Sequence, residues 1–145
     1  MKITHPLLAI SLLACLITSG TQAADRLAGP IAAEVIRAVD GDTLRVRSHI
    51  WLGQYVETSV RIDGIDAPEL KARCPEERTK AVAAQETLAR LEGKTIMLKN
   101  ILADKYGGRV RASVLEDNGA DIASELIRKG LARPYHGDKR QSWCQ

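Results

Sequence analysis

Between Arg61 and Glu69 the chain reads Arg-Ile-Asp-Gly-Ile-Asp-Ala-Pro-Glu, which sets one guanidinium and three carboxylates around a forced change of direction. A guanidinium offers planar, paired donors to a phosphate and keeps its proton, while carboxylates are ligands of hard cations. The set suits a site that holds a hard cation and a phosphate together. A solvated turn uses the same residue types, since Asp, Gly and Pro are common in loops, so the stretch alone leaves both readings open.

The flanking pattern says how these groups are placed. Over Gln54 to Asp63, Val56, Thr58, Val60 and Ile62 alternate with Tyr55, Glu57, Ser59, Arg61 and Asp63, the period of a strand with Arg61 off its apolar side. Gly64 can break that strand or host a bulge, and Pro68 lacks an amide donor and biases Ala67 toward an extended backbone. Asp66 and Glu69 are therefore expected on a loop. Upstream, Ala24 to Pro30 reads as a short mobile lead-in and Ile31 to Val39 as a first strand, with Glu34, Ile36 and Ala38 opposite Val35, Arg37 and Val39. Asp40-Gly41 signals a hairpin because such turns need backbone angles that these residues tolerate, and Leu44 to Arg47 returns with Leu44 and Val46 inward. The turn needs no second acid, yet Asp42 is there. Ser48 to Gly53 reads as a connector whose Trp51 is either a lid or an exposed ring.

Downstream, Pro75 follows Cys74 as a first helical residue, Glu76 and Glu77 occupy the first turn, and Gly93 stands where the helix stops. Ala81, Ala84, Leu88 and Leu91 form its apolar stripe. Thr95 to Ala103 and Arg109 to Leu115 read as two further strands around the turn Asp104-Lys-Tyr-Gly-Gly108, the second with Val110, Ala112 and Val114 inward. Asp121 is a good N-cap for a last helix that ends at Gly130. Five strands in a curled meander, with a helix between the third and fourth, predict an α+β fold: an OB-fold five-stranded β-barrel with two to three helices. Such barrels often bind oligonucleotides or oligosaccharides, and the fold alone decides no further.

Lys2 ahead of the apolar run Leu7 to Ile17 marks residues 1–23 as a secretory signal, with cleavage after Thr21-Gln22-Ala23 and a single domain over 24–145. The run Leu12-Leu-Ala-Cys15 leaves a lipoprotein, lipidated at Cys15, as the alternative; otherwise no stable membrane association is expected. With Lys2 set aside, the remaining Lys and Arg exceed the 18 Asp and Glu by only two, a weak global field. A nucleic-acid partner must then be argued from local clusters. The chain has no Phe, two Trp and three Tyr, so the core must be aliphatic and few rings are left for stacking on sugars. After export Cys74 and Cys144 remain as an even pair in an oxidising compartment, which predicts a disulfide, against two free thiols or an intermolecular bond. Their spacing with His136 does not suit zinc.

Three motifs, Asp40-Gly-Asp-Thr43, Arg61 through Asp66-Ala-Pro-Glu69, and Asp104-Lys-Tyr-Gly-Gly-Arg109, stand in the order and strand placement of staphylococcal-nuclease-like proteins, or thermonucleases, which this sequence resembles over nearly all of 31–132. The resemblance implies a calcium ion held by Asp42, Asp66 and the backbone carbonyl of Ala67. It implies that Arg61 and Arg109 hold the phosphate and that Glu69 directs the attacking water. Lys105 and Tyr106 would contact the nucleotide and its terminal phosphate. Two departures stand out: Ala67 occupies a position that is often Thr, and Gly107-Gly108 adds one residue before Arg109, which leaves Arg111 as its fallback. Tyr135 and His136 lie near positions of base-flanking tyrosines but match them poorly. Arg128, Lys129, Arg133, Lys139 and Arg140 form either a basic surface for a strand's phosphates or a solvated face.

The expectation is an exported, monomeric, calcium-dependent nuclease, periplasmic or secreted, that hydrolyses phosphodiester bonds of DNA and RNA with single strands favoured, leaving 3′-phosphates. The alternative is a non-catalytic OB-fold module that binds single-stranded nucleic acid or a protein partner.

Overall fold

Alternating aliphatic and polar residues close into a barrel over residues 26–144, the part that the computed structural model describes. The expected leader over 1–23, its cleavage site and the alternative lipidation site Cys15 lie outside the described residues. The strands are β1 (Arg26–Leu27), β2 (Ile31–Asp40), β3 (Thr43–Trp51), β4 (Gln54–Ile62), β5 (Ile65–Asp66), β6 (Thr95–Ala103), β7 (Arg109–Glu116) and β8 (Arg133–Pro134), with helices α1 (Pro75–Ala89) and α2 (Ile122–Arg128). Strands β6, β2, β3, β4 and β7 follow one another around the sheet, and a further β6–β7 pairing closes it into the five-stranded, OB-fold-like barrel. Its pairings are antiparallel except β4 with β7, which is parallel and sets Arg61 beside Arg111.

The inward face is aliphatic, as the lack of Phe requires. Leu44, Val46, Val60, Ile62, Ile96, Leu98, Ala112 and Val114 are buried, and burying each of the larger ones stabilises the fold by about 1.5–3 kcal/mol. Helix α1 lays Ala81, Ala84 and Leu88 against the barrel, with Leu91 just past its end, and α2 adds Ile122 and Leu126. Pro75 opens α1 ahead of Glu76 and Glu77 in its first turn, and the Asp121 side chain caps α2 by accepting from Ser124 N at 2.9 Å. Arg90, at the end of α1, reaches both Glu116 on β7 and Glu125 on α2, tying the two helices to the sheet.

Four local expectations are corrected. The lead-in is not loose: Arg26 and Leu27 pair with Leu102 and Ile101 on β6, and Ala28 O accepts from Asn100 N at 2.9 Å. The connector after Arg47 is strand as far as Trp51, which leaves a tip at Leu52-Gly53 with Trp51 73% exposed and absent from the cavity described below, hence no lid. The strict alternation in β2 fails because a bulge between Val35 and Arg37 turns Ile36 outward and brings Ala38 in. Asp66 lies on the short strand β5, paired with Arg133 of β8, and not on a loop.

Gly41 is also explained differently. Asp40 pairs with Thr43, so the turn residues are Gly41 and Asp42. Gly41 does not have the positive φ that would demand glycine; a Cβ there would come within 2.9 Å of Ala84 Cβ on α1 and 3.2 Å of Ala67 Cβ. Close approach, not backbone freedom, is what requires glycine here. Gly41→Ala is expected to lower stability by about 1–3 kcal/mol through overpacking against rigid neighbours, read from denaturant midpoints; an unchanged midpoint would show that α1 yields without cost.

Candidate active site

Asp42 and Arg61 meet at the barrel mouth, with Asp66 one short turn further along the chain, because two chain reversals end there. Thr43 pairs with Arg61 across β3 and β4, which puts the Gly41-Asp42 turn beside the end of β4. Gly64, with φ +80°, then turns the chain so that β5 follows at once. Asp42 is 8% and Asp66 3% exposed, and a buried carboxylate must be paired or lose its charge. Asp42 Oδ2 accepts from Arg61, and its Oδ1 accepts from the Thr43 hydroxyl at 2.8 Å. A second Arg61 nitrogen donates to Ile65 O at 3.0 Å. Burial pushes the Asp42 carboxyl above its ordinary value; Arg61 opposes the rise and Asp40 adds to it.

These groups open into a cavity of about 760 Å³ lined by Asp40, Asp42, Arg61, Asp63, Glu69, Asp104, Lys105, Tyr106, Arg109, Arg111, Tyr135, His136 and Arg140, among others. It therefore collects the expected Arg61, Glu69, Arg109, Lys105, Tyr106 and Asp42, together with Arg111 and the weaker candidates Tyr135 and His136. Asp66 and Ala67 are not on its wall. Asp66 lines an adjoining cavity of about 330 Å³ with Arg133, Tyr135, His136 and Lys139. The two arginines that the sequence left as alternatives differ in how they are held. Arg109 is anchored by its Nε, 2.5 Å from Asp104 Oδ2, and its guanidinium carbon lies 4.8 Å from the Tyr106 ring centre. Arg111 uses a terminal nitrogen, 3.2 Å from the more exposed Asp63 carboxylate. Anchoring through Nε leaves both terminal nitrogens of Arg109 for an anion.

Sequence reasoning missed the tail. Arg140 was one of five residues in a supposed basic surface, but its guanidinium reaches inward to Asp66 Oδ1 (Nε, 2.5 Å), Glu69 Oε1 (2.6 Å) and Ala67 O (3.1 Å). Partial burial works against its charge, and Glu69 and Asp66 more than offset that, so its pKa is raised. Trp143 is buried, donates from Nε1 to Asp66 Oδ2 at 3.2 Å and is stacked under Arg133, whose guanidinium carbon is 3.8 Å from the ring centre. Arg133 also donates to Ser142 O, so two of the five basic residues hold the tail and do not form a free surface. The signal in the sequence was a Trp in a polar tail beside a cysteine.

The resemblance implies a cation, and the oxygen set fits one. Carboxylates and a carbonyl are hard-cation donors, and buried Asp66 Oδ1 receives no aligned hydrogen bond although Arg140 Nε is only 2.5 Å away. The charges touch, but the N–H does not point at the oxygen. Among the described residues no three of the site's acids bring ligand atoms within 4.8 Å of one another; Cys74, Glu77 and Cys144 do.

Residues 59–143, more than half of the chain, match the family model described as Staphylococcal nuclease homologue. The match spans Arg61 through Trp143 and begins after the Asp40–Thr43 turn. The Endonuclease Htp3 of Saprolegnia parasitica (strain CBS 223.65) is 30% identical over 124 residues, which is 72% of this chain and 56% of the relative, so the chain spans little more than half of that protein's length.

Cys74 and Cys144 lie together, with Cα atoms 5.8 Å apart, inside the range a disulfide spans, which sets the tail beside the N-terminus of α1. Closing their separation of 70 residues is worth about 4 kcal/mol in the chain-entropy account. The Cys74→Ser/Cys144→Ser variant is expected to lose about that much in denaturant unfolding. Its fluorescence should also red-shift, because Trp143 is buried and Trp51 is already exposed. Equal stability with and without the cysteines would mean that the bond does not form in the purified protein.

Proposed function

The chain belongs to the staphylococcal nuclease homologues, a nuclease family, and on that premise we propose that it is an exported, calcium-dependent nuclease that hydrolyses phosphodiester bonds of DNA and RNA as a monomer. The observation that carries the proposal is the single cavity in which Arg61, Arg109 and Arg111 face Asp42, Asp40 and Glu69. Fixed guanidiniums are what a phosphoryl centre needs, because charge grows on its equatorial oxygens as water attacks in line. Binding of the same oxygens by the paired donors of Arg61 and Arg109 orients the phosphorus toward Glu69. Glu69 accepts the proton of the attacking water. Asp42, Asp66 and the Ala67 carbonyl hold the cation, which when bound supplies positive charge to the phosphate and acidifies water. Lys105 and Tyr106, on the exposed turn at the cavity rim, grip the nucleotide, with Tyr106 offering its ring.

Single strands are favoured because the cavity must surround a phosphate, and cleavage of the 5′ P–O bond leaves 3′-phosphates, as the family resemblance implies. Export follows from the leader over 1–23, and an oxidised Cys74–Cys144 pair suits a periplasmic or extracellular site. The competing reading, an OB-fold module that binds without cutting, makes no use of Glu69 or of a cation.

Release of acid-soluble nucleotides from single-stranded DNA and from RNA is expected with calcium, to be lost with a chelator and in Asp42→Ala. Retained salt-sensitive binding without release would favour the binding module. Arg109→Ala is expected to lower turnover by about 10³-fold with circular dichroism unchanged, as for removal of a guanidinium that stabilises a transition state. Arg111→Ala should cost less than about tenfold, since its pairing to Asp63 is a solvated one; the reverse order would transfer the role to Arg111. Glu69→Ser should likewise cut turnover by about two to four orders of magnitude.

A further inference from the structure

Every oxygen that the cation would need on the Asp66 side already faces a polar group of the C-terminal tail. Asp66 Oδ2 accepts the indole N–H of Trp143, Asp66 Oδ1 lies against Arg140 Nε, and the Ala67 carbonyl accepts from a terminal Arg140 nitrogen. The third guanidinium nitrogen binds Glu69 Oε1, so one cation of the chain spans both the ligand oxygens and the acid assigned to the water.

We infer that Arg140 sets the cation threshold of this site: its guanidinium is a resident counter-ion for Asp66, the Ala67 carbonyl and Glu69 that a divalent ion must displace. The inference rests on the cation-dependent reading given above. Three features make the residue a replaceable partner and not a fixed strut. A guanidinium spreads one charge over a plane, whereas a divalent ion concentrates two at one point. The contact with Asp66 Oδ1 brings charge without an aligned donor, so that buried oxygen is left with unspent acceptor capacity. The side chain of Arg140 is 44% exposed and lines the large cavity, so it can swing out while the tail stays put. What holds the tail lies elsewhere: Trp143 packed under Arg133, the pairing of β8 with β5, and Cys144 against Cys74.

Two like charges within a few ångströms of each other oppose binding, so removing the guanidinium should strengthen it. In calorimetric titration of the full chain with calcium chloride, Arg140→Gln is expected to bind calcium at least about tenfold more tightly than the wild type. Arg140→Lys should fall between them, because an ammonium keeps the charge but cannot bridge three acceptors. The half-saturating calcium concentration for nucleotide release should drop in the same order. Should Arg140→Gln fail to fold by circular dichroism, Arg140→Lys carries the test with a tightening of a few-fold. Calcium affinity equal to or weaker than wild type in the folded variants overturns the inference. Tighter calcium binding without nucleotide release from any of the proteins upholds it and removes the nuclease reading instead. Absence of calcium binding in all of them removes both.

Discussion

A carboxylate taken out of water must meet a cation or take up a proton, and this barrel buries two of them within one mouth. An unpaired buried charge costs several kcal/mol, a large part of what holds a domain of this size together. Asp42 and Asp66 thus dictate where arginines must stand. Arg61 serves Asp42 from the neighbouring strand, and Arg140 serves Asp66 from the far end of the chain. The raised pKa of Asp42 is the residue of that compromise: burial disfavours its charge more than Arg61 restores it. Groups that strain against their surroundings in this way cluster at functional sites, and here the strain sits on Asp42, a hard-oxygen donor on the wall of the large cavity.

The architecture can be understood as the means of keeping those pairs in register. Antiparallel pairing of β3 with β4 sets Thr43 against Arg61, and parallel pairing of β4 with β7 sets Arg61 against Arg111 on the same face. Helix α1 presses on the back of the Asp42 turn, where Ala84 and Ala67 leave room for a glycine and nothing larger. An apolar contact therefore positions an acid: the methyl of Ala67 packs against Gly41 while its carbonyl faces the tail. At Ala67 the carbonyl and the close packing are thus both supplied without a side-chain hydroxyl.

Much of this was readable in the sequence wherever a local pattern carried the information. Period-two alternation marked β4 and β7, the stripe of Ala81, Ala84, Leu88 and Leu91 marked α1, and the spacing of three charged motifs pointed to one site. Contacts between distant segments left no such pattern. Nothing near Arg140 says that it will meet Asp66 and Glu69, because the contact is made by the tail folding back across β5. The bulge at Ile36 is invisible for a related reason, since a one-residue slip depends on both neighbouring strands. Gly41 shows how a correct expectation can rest on the wrong cause: the turn is where Asp-Gly suggested, yet the glycine answers to the packing of Ala84 on α1, far along the chain.

The arginines at the mouth are all paired before any ligand arrives, Arg61 with Asp42, Arg109 with Asp104, Arg111 with Asp63 and Arg140 with Asp66 and Glu69. Pairing of this kind adds little stability where water reaches it, but it holds long side chains extended toward the cavity and so removes much of the entropy that ordering them would otherwise cost. A phosphate bound there as proposed would exchange one anionic oxygen for another at a guanidinium that is already aimed. Burial alone does not separate the pairs, since Asp104 and Asp66 are each 5% exposed at their side chains. Asp104 accepts an aligned hydrogen bond from Arg109 Nε, whereas Asp66 Oδ1 accepts none from Arg140 and Glu69 at 55% is solvated. The difference between a pair that anchors and a pair open to exchange thus follows from alignment at the buried oxygen and from solvation at the exposed one.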